Sequence, residues 1–589
     1  LGNAADVDGT AYTNIFAFAD KEAVNDTKAP ILVSHIPVVN STTATVNGSV
    51  VLTFDERVKA GTGAITLDGK SLSATYGSKT ATFSYEKLQY NTEYTFVVPA
   101  GAITDIAGNV FAGITFKFKT ANRTEPAKKL FDAVVAQDGT GDYLSVIDAI
   151  TAAPVNRTQP WLIYIKAGKY TGHHDIPANK PFIHLIGQHV DSVIISDNRL
   201  SGGDNAVHVS VGATMVVNST DCYFEHITFE NSFGHEQQTG PQALALYTLK
   251  DRFTMNKSFL RSYQDTYLTS TSLNTRHYIN KSRIQGAVDF IYGGGDVFFD
   301  KCDIICTRKD GGYIVAPSHN AATKWGYVFH TNTISEAVAS GVTTYFGRPW
   351  QNSPKTVFLN TTLKAKVYAS GWYYKMGAIP AVFADYNTMD ANGNQVDLSQ
   401  RISEYEYDVK DGAGNVTSVV KGTAKSSLTA EEAASYSYEN VVLLPGDTWD
   451  PRLMTEAPET PSNLAKNGNV ITWNAVPYAR LYIVFKNKKG HAFTTAATYT
   501  DTQNKSEDTY GIQAVGEYGA LSEIVILDIV TPVTGINLTA TQKNGDVALN
   551  WKTVTESNTA TFTVEHSVNN ASFTAIGKVA AAGNTTLVR

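Results

Sequence analysis

The feature that most constrains this chain is a pair of apolar residues six positions apart, which recurs every 20 to 30 residues. These intervals are too long for a helical heptad and are typical of solenoid repeats. Each unit is short and rich in aromatic and β-branched residues, which indicates β-strands joined by turns. One unit cannot bury its apolar face alone, so successive units must stack. The six pairs are Tyr223/Phe229, Phe253/Phe259, Tyr278/Ile284, Phe298/Ile304, Val328/Ile334 and Val357/Leu363.

The stacked units predict a right-handed parallel β-helix within a mainly β protein. A β-sandwich with coincidental spacing is the alternative, and six matching units disfavour it. In stacked coils, residues at equal offsets lie side by side, about 4.8 Å apart. Gln264 follows Phe253 by the same number of residues as Asp289 follows Tyr278, so we expect these two side chains at one angular position. Asp265 should then lie beside Asp289.

Two carboxylates forced together on an apolar coil predict one raised pKa and one ionised group. That difference suits one general acid and one nucleophile. A pair of ordinary turn aspartates is the alternative. It is disfavoured for Asp289, because apolar residues flank this position on both sides, as in a strand.

Four sequence blocks carry a resemblance to a known family. Residues 242–246, 264–266, 288–293 and 347–350 resemble, in order, the signature motifs of the pectin methylesterases. These are β-helical carbohydrate esterases that remove methyl groups from homogalacturonan. The similarity extends from about residue 134 to about residue 451.

The resemblance implies a role for each polar residue of these blocks. Asp289 would be the nucleophile, and Arg348 would hold it ionised and oriented. Gln242 and Gln264 would donate hydrogen bonds to the oxyanion. Asp265 would protonate the departing methanol and then take a proton from water. No metal or other cofactor is implied.

Aromatic residues near the blocks are predicted to contact the substrate. Trp350 and Trp372 stand where the family has tryptophans, and they would stack on sugar rings, with the hydrophobic core as the alternative place for both. Tyr263, Tyr267 and Tyr292 are further candidates, with the hydrophobic core as the alternative place for each. The chain departs from the family pattern in three places. Tyr267-Leu268 replaces Leu-Tyr, Ala287 replaces Thr, and Tyr292 replaces Phe, which affects the expected substrate preference more than the reaction.

Other functions on a β-helix are disfavoured by the residues present. A lyase would need calcium-binding carboxylates and a basic proton acceptor, and a polygalacturonase would need three aspartates, but neither motif set is found. Action on another acyl ester or thioester is a further alternative. A carbohydrate-binding protein that has lost its activity is the non-enzymatic alternative, and the full set of five polar residues argues against it.

The chain is too long for one ordinary domain. Residues 1–28 are interpreted as a lead-in, and 29–121 show short alternating strands typical of a bacterial immunoglobulin-like sandwich. Residues 130–455 carry the β-helix, with a cap helix near 143–152 and a capping box at Thr429. Residues 456–528 resemble a fibronectin type III module. Residues 529–589 look like a partial or truncated sandwich, with too few strands to close.

Composition limits the partners and the location. A net charge of −7 gives no indication of binding to nucleic acid or to an anionic membrane surface. No apolar run reaches the roughly 18 residues of a membrane span. The chain begins at Leu1, as if a secretion signal had been removed, so we expect a secreted or cell-envelope bacterial protein. The expected partner is methyl-esterified pectin, and the expected state is a monomer.

Cys222, Cys302 and Cys306 lack zinc or disulfide spacing, and Cys302 is predicted to be a buried thiol.

Overall fold

The computed structural model describes residues 4–5, 11–12, 26–77, 79–307, 312–337, 343–505, 508–527, 533–568 and 573–585. Within these residues, the chain from Ala133 to Ser427 forms a parallel β-helix, which confirms the predicted fold class. Each coil contributes strands in turn to three long parallel sheets, called here the first, second and third sheets.

The strands of the three sheets succeed one another in chain order, so each coil lies against the previous one. The first sheet contains Ala133–Val135, Trp161–Ile165, Ile183–Gly187, Tyr223–Glu225, Phe253–Asn256, Arg276–Asn280, Asp296–Asp300, Tyr327–His330, Lys355–Leu359, Val382–Tyr386 and Lys425–Ser427. The second contains Gly168–Thr171, Val193–Asp197, Thr228–Asn231, Phe259–Arg261, Arg283–Gly286, Asp303–Cys306, Thr333–Glu336, Thr362–Leu363 and Met389–Asp390. The third contains His174–Ile176, Met215–Val217, Leu246–Thr248, Tyr267–Thr269, Val288–Gly293, Tyr313–Pro317, Thr343–Gly347 and Lys366–Val367.

The interior of the coils is a stack of apolar side chains in register. Along the first sheet these buried residues are Phe224, Met255, Ile279, Phe299, Phe329 and Phe358. The rings of Phe299 and Phe329 are nearly parallel, with centroids 4.3 Å apart. Because the side chains alternate between the two faces of a strand, the neighbouring residues of each strand point outward.

The six-residue repeat is confirmed, with a shift in one unit. Tyr223, Tyr278, Phe298, Val328 and Val357 lie in one outward row, but Thr254 occupies that row in the second unit. Phe253 therefore pairs with His277 and packs into the interior. A shift of one residue moves a side chain to the other face of the sheet.

This shift corrects the predicted neighbours in the third sheet. Gln264 pairs with Val288 rather than lying beside Asp289. Asp265 follows Gln264, and its backbone N–H donates to the Val288 carbonyl at 3.1 Å, so Asp265 and Asp289 occupy neighbouring coils as predicted. The carboxylate pair was thus predicted correctly, although the position of Gln264 was wrong by one residue.

Six short helices are described in the chain, and two were expected. The helix Val146–Ala152 starts at the N-cap Ser145, and its Val146, Ala149 and Ile150 cover the end of the β-helix core. Thr429 and Glu432 form the predicted capping box. The helices are Val146–Ala152, Val209–Gly212, Ser232–Gln237, Ala430–Ser435, Tyr438–Val441 and Pro451–Met454.

The N-terminal module is a sandwich of short antiparallel strands, as predicted. One sheet contains Leu32–Ile36, Gly48–Phe54, Thr80–Tyr85 and Ala74–Tyr76, and another contains Ile114–Lys119, Glu93–Val98, Thr66–Leu67 and Lys70–Ser71. Val58–Ala60 pairs with Ile103–Asp105. The core between the sheets is apolar and includes Leu52, Phe83 and Phe96.

A second sandwich follows the β-helix and packs directly on it. Its sheets contain Ala465–Asn467, Val470–Thr472 and Thr498–Thr500, and Lys489–Thr494, Leu481–Lys486, Tyr510–Val515 and Val525–Ile526. Leu481, Ile483 and Val515 share one buried cluster with Tyr164 and Ile186, which belong to the outward face of the first sheet. This module is therefore part of the packing of the β-helix.

The remaining strands lie outside these units. Glu404–Lys410 and Val416–Thr423 form a hairpin that pairs with Lys375–Met376. The last unit has the strands Val533–Thr534, Asn537–Lys543, Asp546–Lys552, Thr555–His566 and Thr574–Thr585. Leu538 and Val547 are exposed there. Cys302 is a buried free thiol, as predicted. No helix of the described residues is long and apolar enough to cross a membrane.

Candidate active site

Asp289 lies on a third-sheet strand at an irregular point. The strand Val288–Gly293 loses its regular register between Val288 and Ile291. Asp289 itself has a φ of 49°, in the left-handed region. Such a conformation costs about 1–3 kcal/mol in a non-glycine residue and is concentrated at functional sites. A bulge of this kind redirects a side chain out of the regular alternation.

Arg348 holds Asp289 with a two-pronged contact. The Arg348 Nε donates to Asp289 Oδ1 at 2.9 Å, and its Nη2 donates to Oδ2 at 2.5 Å. Asp289 is only 7% exposed, and the guanidinium also lies 4.2 Å above the ring of Tyr313. Paired charge-assisted hydrogen bonds fix both the charge and the orientation of the carboxylate.

Asp265 is the second buried carboxyl group of the site. It is 9% exposed, has a φ of 63°, and lies close to the Tyr292 hydroxyl. Burial, followed by the negative charge of Asp289, raises the pKa of Asp265 well above its usual range. Asp265 therefore holds its proton more tightly than an exposed aspartic acid does.

Asp289 experiences the opposite balance of charges. Burial also raises the pKa of Asp289, and the hydrogen bonds and the positive charge of Arg348 reduce this rise without reversing it. The two pKa values are therefore separated, with Asp265 the weaker acid. A single proton shared by this pair would therefore lie on Asp265.

The two glutamines lie on the coils just before Asp289. The backbone N–H of Ala243 donates to the Gln264 carbonyl at 3.1 Å, so Gln242 and Gln264 belong to neighbouring coils. Both side chains are half-buried. A Cβ added at Gly202 would lie 1.7 Å from Gln242 Oε1, so only glycine permits this close approach. Gly202 is a residue that the motif analysis missed, because it lies outside all four blocks.

The predicted aromatic residues fall into two groups. Tyr292 and Trp350 lie on the outward face of the third sheet, with ring centroids 5.7 Å apart. Tyr263 is half-buried beside Gln264. These three residues stay candidates for contact with a substrate.

Tyr267 and Trp372 lie elsewhere, which corrects their predicted placement. Tyr267 is fully buried in the interior of the coils. Trp372 is 1% exposed and stacks on Phe383 with ring centroids 4.1 Å apart. Both follow the inward positions of their coils, so neither ring can reach a sugar.

No metal-ligand cluster was expected at the site. Among the described residues, one group of carboxylates is close enough to share an ion, namely Asp26, Glu56 and Asp105. These residues belong to the N-terminal module and not to the β-helix.

The fold and the site together define a class. The parallel β-helix carries two buried carboxyl groups, a guanidinium bound to one of them, and two side-chain amides on the preceding coils. This set of groups is the one expected of a β-helical carbohydrate esterase. Comparison with known families agrees with this class. Residues 132–423 match the family described as Pectinesterase, and residues 26–120 match the one described as Bacterial Ig-like domain.

Individual relatives share the β-helix region. Pectinesterase/pectinesterase inhibitor PPE8B from Prunus persica is 34% identical over 251 residues, which cover 41% of this chain and 47% of that protein. Probable pectinesterase/pectinesterase inhibitor 6 from Arabidopsis thaliana is 31% identical over 303 residues, covering 50% and 52%. The chain thus spans about half the length of these curated relatives. The β-helix of this chain belongs to the pectinesterase family.

Solved structures with a similar fold have lower identity. Pectin methylesterase from carrot is 24% identical, with a TM-score of 0.45, covering 54% of this chain and 95% of that one. Pectin methylesterase PemA from Erwinia chrysanthemi is 24% identical, with a TM-score of 0.44, covering 55% and 99%.

Proposed function

We propose that this protein hydrolyses the C6 methyl esters of galacturonate units in pectin, releasing methanol and leaving a free carboxylate. The observation that carries the proposal is the two-pronged contact of Arg348 with the buried Asp289, next to the second buried carboxyl group, Asp265. Membership of the β-helix in the pectinesterase family supports the choice of substrate.

The first half of the reaction forms an acyl-enzyme. A carboxylate oxygen of Asp289 attacks the ester carbonyl carbon, and the carbonyl electron pair moves onto oxygen. The side-chain amides of Gln242 and Gln264 donate to this oxyanion, each contributing about 3–4 kcal/mol. The intermediate then collapses, the bond to the methoxy oxygen breaks, and Asp265 gives its proton to the departing methanol.

The second half regenerates the enzyme. Asp265, now a carboxylate, removes a proton from water, and the hydroxide oxygen attacks the acyl carbon. The bond to Asp289 breaks, and Asp289 leaves as a carboxylate that Arg348 again stabilises. The proposed mechanism uses these five side chains and no metal ion.

The polymer and the location are part of the same proposal. The partner is methyl-esterified homogalacturonan, which lies outside cells, so we propose that the protein acts in a bacterial secreted or cell-envelope setting. The bacterial immunoglobulin-like module supports this setting. We propose a monomer as the active state.

The test is methanol release from highly methylated pectin by the wild type and by Asp289→Asn. The wild type should release methanol with chelator present, and Asp289→Asn should lose at least about 1,000-fold in rate. Loss of the wild-type rate on addition of chelator would contradict the metal-free mechanism. Absence of methanol with the wild type would contradict the function.

The chain offers a matched control for this substitution. Asp221 is also 7% exposed, also has a positive φ, and also forms a two-pronged contact with an arginine, Arg252. It lies beside the first sheet, away from the proposed site. Asp221→Asn should keep the wild-type rate, so an equal loss in both variants would indicate an effect on folding.

A further inference from the structure

A cavity of about 220 Å³ lies where three parts of the chain meet, and we call it the junction cavity. One wall comes from the segment that precedes the β-helix, a second from the turn before the strand Trp161–Ile165, and a third from the sandwich that follows the β-helix. The described residues that line it include none of the proposed active site. The three walls carry, in this order, Pro126 and Lys129, Arg157 and Pro160, and Arg480 and Glu517.

Arg480 fixes the wall from the sandwich to the wall from the preceding segment. Its Nε donates to the Lys129 carbonyl at 3.1 Å, and its Nη2 donates to the Leu130 carbonyl at 3.2 Å. The same Nη2 lies 3.4 Å from a carboxylate oxygen of Asp132, which also accepts from the Leu162 N–H at 2.9 Å. These contacts hold the guanidinium in place without a ligand, so the junction cavity is preformed, as binding pockets usually are.

One end of the Arg480 guanidinium has no partner. Arg480 is 8% exposed, so its side chain is almost completely removed from bulk water. Its Nη1 makes no hydrogen bond to any of the described residues, yet it is not sealed from solvent. Because Arg480 lines the junction cavity, this is where Nη1 meets solvent. A buried guanidinium with unused N–H groups favours an anion in that space.

Arg157 repeats this arrangement on another wall. Its Nε donates to the Gln159 carbonyl at 3.1 Å, and its Nη2 donates to the Pro160 carbonyl at 3.2 Å. The guanidinium also lies 4.7 Å from the ring centre of Trp161. Within the part of the chain that the structure describes, its Nη1 has no hydrogen-bond acceptor. Two arginines of one cavity therefore each offer an unused donor group.

The charges around the junction cavity leave a positive excess. Lys129, Arg157 and Arg480 carry positive charges on its walls, and Glu517 carries a negative one. Lys129 and Arg480 also contact the carboxylate of Asp132, which offsets one more positive charge. The three positive charges are thus opposed by two negative ones, so the cavity suits a ligand with a single negative charge.

The size and the lining of the cavity indicate the class of ligand. Pockets that take drug-sized ligands have volumes of roughly 300–1,000 Å³, so this smaller cavity suits a molecule of about one sugar ring. Pro126 and Pro160 offer apolar surface to the C–H face of a pyranose. A uronate combines such a face with one carboxylate, and charge-assisted hydrogen bonds from arginine suit that carboxylate.

We propose that the junction cavity binds the carboxylate of a single uronate unit, with Arg157 and Arg480 as its hydrogen-bond donors. The proposed reaction makes galacturonate carboxylates from neutral esters, so galacturonate is the uronate that this protein would meet. The choice of galacturonate rests on the proposed function, whereas the anion site rests on the two arginines. Because its walls come from three parts of the chain, a β-helix without the flanking segments would lack this site.

The test is calorimetric titration of the full chain with sodium galacturonate at low salt, where screening is weak. We expect galacturonate to bind, and galactose, which has the same ring without the carboxylate, to bind about tenfold more weakly. Arg157→Gln should raise the Kd for galacturonate about tenfold. Equal binding of the two sugars, or an unchanged Kd in Arg157→Gln, would overturn the proposal.

Two further variants separate the site from effects on folding. Glu517→Gln removes a negative charge from the wall, so galacturonate should bind about threefold more tightly. Arg283→Gln removes a half-buried arginine of the second sheet that pairs with Asp191, and it should leave Kd unchanged. If Arg157→Gln does not fold, Glu517→Gln decides, because a Kd that stays the same or rises in that variant contradicts the proposal.

A trimer of galacturonate distinguishes two sources of the carboxylate. Binding of the trimer that Arg157→Gln weakens would show that the cavity takes the end of a de-esterified chain. Binding of the monomer without the trimer would show that it takes the free sugar acid, and binding of neither would overturn the proposal. Titration needs no turnover, so a wild type that releases no methanol would contradict the proposed function and leave this result to decide the anion site.

Discussion

The replacement Arg348→Lys tests the central contact of the site. Arg348 makes two hydrogen bonds to the carboxylate of Asp289, at 2.9 and 2.5 Å, in a half-buried position. A lysine keeps the positive charge, but its ammonium cannot match both carboxylate oxygens in the same plane. The substitution therefore removes one charge-assisted hydrogen bond and loosens the orientation of the nucleophile.

The expected loss follows from that single bond. A hydrogen bond to a charged group contributes about 1.5–3 kcal/mol, so we expect kcat to fall about 30-fold for a loss of about 2 kcal/mol. The pH dependence should also change. Arg348 acts against the raised pKa of Asp289, so weakening the contact raises that pKa further. The acidic limb of the rate profile should therefore move to higher pH.

The assay is methanol release from methylated pectin across a range of pH. Arg252→Lys is the control, because Arg252 makes the same two-pronged contact with Asp221. It should preserve both the rate and the profile. An Arg348→Lys enzyme with an unchanged acidic limb would refute the argument that this guanidinium keeps Asp289 ionised.

Three other substitutions test the surroundings. The pKa of Asp265 is raised in the folded protein, so the protein loses stability as pH rises through that pKa and Asp265 ionises. Asp265→Asn should therefore abolish activity, yet calorimetry should show Tm raised by about 2 °C at pH 8 and not at pH 3. Gly202→Ala should lower kcat about 100-fold with little change in KM, because the new methyl group displaces the Gln242 amide. Gly412 has open space around it, so the control Gly412→Ala should keep the wild-type kcat and KM. Leu481→Ala, in the cluster shared with the first sheet, should cost about 2–5 kcal/mol, and near-ultraviolet dichroism should show the β-helix unfolding at a lower temperature.

The repeat and the motifs were readable from the sequence because they are local. The six-residue pairs recur once per coil, so they predicted stacked strands before any contact was known, although the first residue of five pairs lies in the outward row and not in the interior. Alternation of apolar and polar residues likewise predicted the strands of the N-terminal module. The identities of Asp265, Asp289 and Arg348 also came from the motif blocks.

The arrangement of those residues was decided by the tertiary structure. Arg348 reaches Asp289 across 59 positions of sequence. Tyr267 directly follows a motif block, yet it points inward, as Trp372 does, whereas Tyr292 and Trp350 point outward. The physical reason is that side chains alternate faces every residue, whereas turns between strands vary in length. Local sequence determines that a strand forms. The number of turn residues in each coil, which only the tertiary structure shows, determines which side chains that strand presents at the site.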